Sequence, residues 1–172
     1  KLSGCRVIAI TSSGKKLAWC QKIGYDDGIN YKTEPNLVDA ITRVCPNGVD
    51  LYFDNTAGPI HDAVMQNLAT FARIVVCGTV SLADRFDKPD IGERFLRRIL
   101  VARARVQGFI VDDYQNRHQK AWKCLADWYQ RGLLNCEYDI VQDIHSMPSA
   151  FLRLLKSQNL GKQLVQVSTP SV

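Results

Sequence analysis

Several familiar signatures are missing from this 172-residue chain, and each absence removes a class of chemistry. No two of its six cysteines (Cys5, Cys20, Cys45, Cys77, Cys124 and Cys136) form a C-x-x-C pair, and most sit inside apolar stretches. That pattern suits reduced, buried thiols in a cytoplasmic protein and speaks against a disulfide framework or a zinc site. The three histidines, His61, His118 and His145, never fall into H-E-x-x-H spacing, so no metal is expected. No apolar run approaches the roughly 18 residues of a membrane span. Low-complexity tracts and internal repeats are absent as well. The glycine-rich G-x-G-x-x-G turn does not occur, and no strand-like run precedes Arg6 that could lead into one. Since the chain starts at Lys1 rather than Met, close before its first strand-like run, it is expected to be a fragment of a longer protein.

What is present is ordinary globular composition, with 46% hydrophobic and 23% charged residues, and a length of one domain, or one and a fraction, with a full core. The formal charge is +5, and part of it sits in Arg94, Arg97, Arg98, Arg103 and Arg105. Such a cluster can meet nucleic acid, but a charge run of this kind is more often the solvated face of a helix, and nucleic acid is disfavoured as a partner.

Strand-like and helix-like runs alternate. Arg6-Val-Ile-Ala-Ile10 reads as a buried strand, followed by the loop Thr11-Ser-Ser-Gly-Lys-Lys16 and a helix from Lys16 to Ile23 that Gly24 stops. Residues 28–32 make a short strand, and 36–45 an amphipathic helix with Leu37, Val38, Ile41 and Val44 on one side. Val49 to Phe53 is a strand running into the polar turn Asp54-Asn55-Thr56, with a helix over about 60–68 behind it. A strand over 73–77, a polar loop over 81–89, a helix over 91–102 and a strand over 106–111 follow. The spacing then predicts a long helix over 117–130, with Trp122, Leu125, Ala126 and Tyr129 as its buried stripe. A strand at 137–141, a helix at 148–156 and a strand at 163–167 complete the pattern. Continuous apolar strands alternating with helices imply a parallel, doubly wound α/β sheet with helices on both faces.

In such a sheet ligands sit outside the carboxyl ends of the strands. The turn at Asp54-Asn55 is therefore a candidate site, although Asp and Asn also simply make turns and cap helices. The turn at residues 11–16 carries hydroxyls and lysines and no acid, which suits the extra phosphate of NADP over a free ribose of NAD. Gly78, lacking a Cβ, would let a flat ring approach the backbone. Phe109-Ile110-Val111 could offer backbone polar groups to a carboxamide, or be plain core.

Gly4-Cys-Arg-Val-Ile8, Gln21-Lys-Ile-Gly-Tyr-Asp26, Ile29-Asn-Tyr-Lys-Thr33, Tyr52-Phe-Asp-Asn55, Ala72-Arg-Ile-Val-Val-Cys-Gly78, Gln107-Gly-Phe-Ile-Val111 and Asn159-Leu-Gly-Lys162 occur in that order. Together they resemble the zinc-free branch of the medium-chain dehydrogenase/reductases, the branch of the prostaglandin reductases and related bacterial NADP-dependent oxidoreductases. The resemblance spans nearly the whole chain. It implies NADPH as cofactor and reduction of the carbon–carbon double bond of α,β-unsaturated carbonyl compounds, with hydride passing to the β-carbon and a proton to the α-carbon. By motif match, Lys16 and Tyr31 would hold the adenosine-side phosphate and Asn55 would face the cofactor. Cys77, Gly78, Thr79, Val80 and Ser81, with Phe109, Ile110 and Val111, would line the nicotinamide, and Asn159 would reach the phosphate region. Where the family has Tyr-Asn after the Ser of the strand-end loop, this chain has Leu82-Ala83-Asp84, so no catalytic proton donor is assigned.

The resemblance also implies that residues 1–136 are an incomplete Rossmann domain and that 137–172 would lean back on an absent substrate domain. In strand order 3-2-1-4-5-6 the missing first strand is central. The chain is thus expected to close the gap by rearrangement, to borrow a strand from a partner, or to be only part of the molecule. A quinone reductase is the alternative within the same class, and a non-catalytic nucleotide- or nucleic-acid-binding module the alternative outside it. A methyltransferase would want an acid after the second strand, and a short-chain dehydrogenase a Tyr with a Lys four residues on; neither is present. Family members often form homodimers, but the residues themselves do not speak to that.

Overall fold

A computed structural model describes residues 1–84 and 87–168. They form two compact units, one within residues 3–118 together with Lys1 and one within residues 119–168 together with Leu2. Among the described residues all strand pairing is parallel. Among the described residues no helix is long and apolar enough to cross a membrane.

In the first unit, β1 (Ile8–Thr11) pairs with β2 (Asp27–Asn30), and β3 (Val49–Asp54), β4 (Leu68–Val76) and β5 (Arg105–Gly108) make a separate three-stranded sheet in that order. Four helices accompany them: α1 (Gly14–Lys22), α2 (Leu37–Val44), α3 (Gly58–Met65) and α4 (Leu96–Ala102). The expected doubly wound arrangement is therefore present in two pieces, with one edge of β1 and one edge of β3 left unpaired among the described residues. Between them runs a groove of about 1020 Å³ whose walls include Ile8 and Ile10 on one side and Val49, Leu51 and Phe53 on the other. The gap is not closed by rearrangement.

The local chemistry explains the elements. Ser13 caps α1, its hydroxyl accepting from the Lys16 amide at 3.3 Å. Asn36 caps α2, its Oδ1 accepting from Val38 N at 2.9 Å and Asp39 N at 3.3 Å. The buried face of α2 (Ala40, Ile41, Val44) meets Ala63 and Val64 of α3 over Ile29 of β2. This shared core ties the two sheets together across the groove. A second cluster, Met65, Ala72 and Ile74, packs under Phe95 and Ile99.

Several boundaries differ from the sequence pattern for physical reasons. The helix expected to reach residue 68 ends at Met65, and β4 already starts at Leu68. Asn67 makes the break: its Nδ2 donates to Ala63 O at 3.0 Å, and its own carbonyl accepts from Val49 N at 2.8 Å, starting β3. The helix expected from Ile91 starts only at Leu96, and the strand expected to reach Val111 ends at Gly108, with a 3-10 turn over Val111–Tyr114. The cysteines are a plain correction. All six are free, but only Cys20 is buried; Cys45 is half-buried and Cys5, Cys77, Cys124 and Cys136 are exposed. Cys77, despite its apolar neighbours in sequence, lies just beyond the end of β4. The five arginines are exposed as expected of a solvated face, with the Arg103 guanidinium 4.9 Å over the Phe71 ring.

Helix α5 (Gln115–Gln130) begins in the first unit and ends in the second. Its expected buried stripe is exposed, Trp122 at 70%. In the second unit β6 (Tyr138–Gln142) pairs with β7 (Lys162–Gln166) beside α6 (Met147–Leu155). Asp139 holds this unit together, its Oδ2 accepting from Arg153 Nη2 at 2.8 Å and from Leu160 N at 3.2 Å.

Candidate functional site

The candidate residues of the first unit gather at the carboxyl ends of its strands. At the end of β1, Thr11, Ser12 and Ser13 lead into α1, and Lys16 Nζ donates to Ser12 Oγ at 3.2 Å. The Tyr31 amide, just past β2, donates to Thr11 O at 3.0 Å, so Lys16 and Tyr31 flank one turn. Burial, and then the charge of Lys32, pull the Lys16 ammonium below its ordinary value. Positive charge is crowded here, and an anion would relieve it.

At the ends of β3 and β4 two loops are zipped together. Asp54 O accepts from Cys77 N at 2.7 Å and Gly78 N at 3.3 Å, Asn55 O from Val80 N at 3.3 Å, and Thr56 O from Ser81 N at 2.9 Å. Two glycines pack closely in this seam. A Cβ at Gly78 would stand 2.5 Å from Asn55 Oδ1, and one at Gly58, whose φ is +60°, would stand 2.7 Å from Ser81 Oγ. Asn55 is thus brought together with Cys77, Gly78, Thr79, Val80 and Ser81, while Leu82 closes a 3-10 turn over Val80–Leu82. Phe109 joins the same end of the sheet, its amide donating to Val76 O at 3.2 Å and its ring 6.4 Å from that of Phe53. Ile110 and Val111 beyond it are exposed. Thr11, Asn55 and Thr56 all line the groove between β1 and β3. Asn159 lies in the second unit, where its Nδ2 donates to Gly161 O at 2.8 Å.

The sequence reading passed over what lies beneath this turn. Asp54 is 1% exposed, and its Oδ1 accepts from Thr56 N and Ala57 N, each at 2.9 Å. Its Oδ2 stands 2.7 Å from His61 Nδ1. Burial alone would push this carboxyl up, but the hydrogen bonds from His61 and from the Ala57 and Thr56 amides outweigh it and hold it well below the usual carboxylate range. The hydrogen bond to Asp54 in turn raises His61 against the opposing effect of burial. Tyr52 is half-buried beside Asp54 with its hydroxyl inside; burial and then the carboxylate push its phenol up, and the hydroxyl finds no partner in good geometry. The signal for the pair was an i, i+7 spacing of Asp and His across a turn and the first helical turns, which becomes meaningful only once the helix start is known.

Among the described residues no group of three or more His, Cys, Asp or Glu is placed to hold a metal ion.

The sequence profile described as zinc-binding dehydrogenase matches residues 1–131. The chain is 43% identical over 173 residues to YfmJ of Bacillus subtilis, assigned by name only as an NADP-dependent oxidoreductase, covering 99% of this chain and 51% of that protein. It is 36% identical to prostaglandin reductase 1 of Mus musculus, over 96% of this chain and 50% of that one. It is 32% identical to the 2-alkenal reductase (NADP(+)-dependent) of Nicotiana tabacum, over 98% and 49%. Among solved structures, CurA of Vibrio vulnificus in complex with NADPH superposes with a TM-score of 0.90 at 34% identity, covering 98% of this chain and 51% of that one. The chain thus spans about half the length of the curated relatives it matches.

Proposed function

Because the chain belongs to the zinc-binding dehydrogenase family, we propose that it is the nucleotide-holding part of an NADPH-dependent oxidoreductase that reduces the carbon–carbon double bond of α,β-unsaturated carbonyl compounds. The observation that carries the proposal is the seam at the carboxyl ends of β3 and β4, where Asn55 and the Cys77–Ser81 loop form one hydrogen-bonded surface. A relative named for alkenal reduction with NADP and a like structure solved with NADPH support the cofactor and the substrate class.

The residues fit such a cofactor. Crowded cationic charge at Lys16 and Lys32, with the hydroxyls of Ser12 and Ser13, suits the phosphate of the adenosine side. Lys16 and Tyr31 would hold that phosphate. The loop from Cys77 to Ser81, with Phe109, Ile110 and Val111, would line the nicotinamide, and Gly78 and Asn55 would give the ring a close, fixed wall. Bound there, the cofactor supplies the reducing equivalents. The protein's part is to hold its ring in one orientation and to keep the polar end of the substrate oriented against it. Leu82-Ala83-Asp84 offers no phenol to orient or protonate the substrate, so that role falls outside this loop.

The test is oxidation of NADPH, beside NADH, by the full-length protein with a simple enone. Turnover with NADPH and little with NADH is the expected result, and Lys16→Ala should erase most of that preference by weakening NADPH binding on the order of tenfold or more. Turnover of quinones alone would move the substrate class, and binding of neither nucleotide would overturn the proposal.

A further inference from the structure

We propose that Asp54 and His61 are a positioning pair, fixing the Asn55 side chain against the Cys77–Ser81 loop so that the two strand-end segments meet the cofactor as one unit. The inference rests on the reading that these segments face the nicotinamide, but its geometry stands without it.

Asp54 ties three segments together. One carboxylate oxygen holds the Thr56 and Ala57 amides at 2.9 Å and the Thr56 hydroxyl at 3.3 Å, which fixes the turn. The other meets His61 Nδ1 at 2.7 Å, which fixes the turn to α3. Its backbone carbonyl accepts from Cys77 and Gly78, which fixes the neighbouring loop. Asn55, the next residue, carries its Oδ1 into the space a side chain at position 78 would need. Any rotation of the Asp54 carboxylate therefore moves the turn, and with it Asn55, relative to Gly78.

A buried carboxylate keeps its charge only when its lone pairs are satisfied and its charge is balanced. The two backbone amides and the Thr56 hydroxyl serve the first need, and His61 serves both. His61 is held from several sides. Asp54 and Tyr52 face it from β3, Asp62 adjoins it on α3, Asp90 comes from the stretch before α4, and Glu93 stands with Asp62 and Asp90. The edge of Phe95, 5.5 Å between ring centroids, closes the remaining side. This carboxylate-rich surrounding keeps the imidazole protonated to higher pH than a free one. As pH rises and that proton leaves, a neutral Nδ1–H still donates to Asp54 but the balancing charge is lost, a change worth no more than about threefold in affinity.

The test uses the full-length protein without and with NADPH. The His61 ring, the Asn55 side-chain amide and the Gly78 backbone amide are followed by NMR through the His61 titration. Asn55 and Gly78 are expected to move with the His61 midpoint, with no cofactor present. Asp54→Asn should return that midpoint toward that of an ordinary histidine and weaken NADPH about tenfold, as expected for loss of a charge-assisted bond. His61→Asn, which keeps a neutral donor, should retain affinity within about threefold and abolish its pH dependence, whereas His61→Leu should lose both. Asn55 and Gly78 resonances that ignore the His61 titration would overturn the inference, as would Asp54→Asn and His61→Leu proteins with unchanged NADPH affinity. If the wild-type protein binds no NADPH, the functional reading fails, and the cofactor-free titration still decides the pair.

Discussion

Ala57 shows how a single residue records the demands of the site. It stands between the Asp54 turn and α3 with φ 59° and ψ −161°, a region that essentially only glycine occupies without strain. The backbone is held there because Asp54 takes its amide at 2.9 Å and because the next residue, Gly58, also has positive φ and packs against Ser81. In the sequence, Ala57-Gly58-Pro59 reads as a small-residue helix entry ahead of Ile60. The small size was right, but the reason is a strained backbone over a buried carboxylate. Strain of this kind costs of order 1–3 kcal/mol, against roughly 0.4–1 kcal/mol for the extra unfolded-state freedom of a glycine. Ala57→Gly should therefore stabilise the protein by about 1 kcal/mol, read as a rise in the urea midpoint with unchanged slope. An unchanged or lowered midpoint would show that the turn is not strained.

At the scale of elements, the order of strands and helices was legible because apolar runs, caps and glycine stops agree locally. The Leu37–Val44 face is the clearest case, where the expected side of the helix is the one that packs on Ile29 and Val64. Boundaries failed where a long-range hydrogen bond decided them. Asn67 ends α3 by bonding back to Ala63 and forward to the start of β3, which no local pattern records. The exposed stripe of α5 failed differently. Trp122, Leu125 and Tyr129 have the spacing of a buried face, yet spacing predicts only which residues share a face. If α2 owes its register to its cap, Asn36→Ala should cost about 1 kcal/mol of stability. The urea midpoint checks it, and Asn36→Asp or Asn36→Ser should restore most of the loss. Equal destabilisation by all three would mean that Asn36 acts through packing.

At the scale of the molecule, the site splits into what strand ends can announce and what only folding assembles. The phosphate-side turn with Lys16 and Tyr31, and the Asn55 and Cys77–Ser81 segments, were visible because a parallel sheet places its chemistry at carboxyl ends. The Asp54–His61 pair was not, since it depends on how a turn and a helix meet in space. The opening between β1 and β3 joins the two levels. Both strands carry apolar side chains into a groove of about 1020 Å³, and each offers a row of backbone groups with no strand beside it among the described residues. Such an edge is protected neither by hydrogen bonds nor by burial, and it invites pairing with another chain. By contrast β4 is paired on both sides. Amide hydrogen exchange on residues 1–172 alone should separate the two cases. The groove-facing amides of β1 and β3 should exchange at least about a hundredfold faster than those at the centre of β4, a gap of roughly 2.7 kcal/mol in opening free energy. Uniform protection across β1, β3 and β4 would mean that the edges are covered in solution, by a second copy or by rearrangement, and light scattering on the same sample would tell a second copy from a closed monomer.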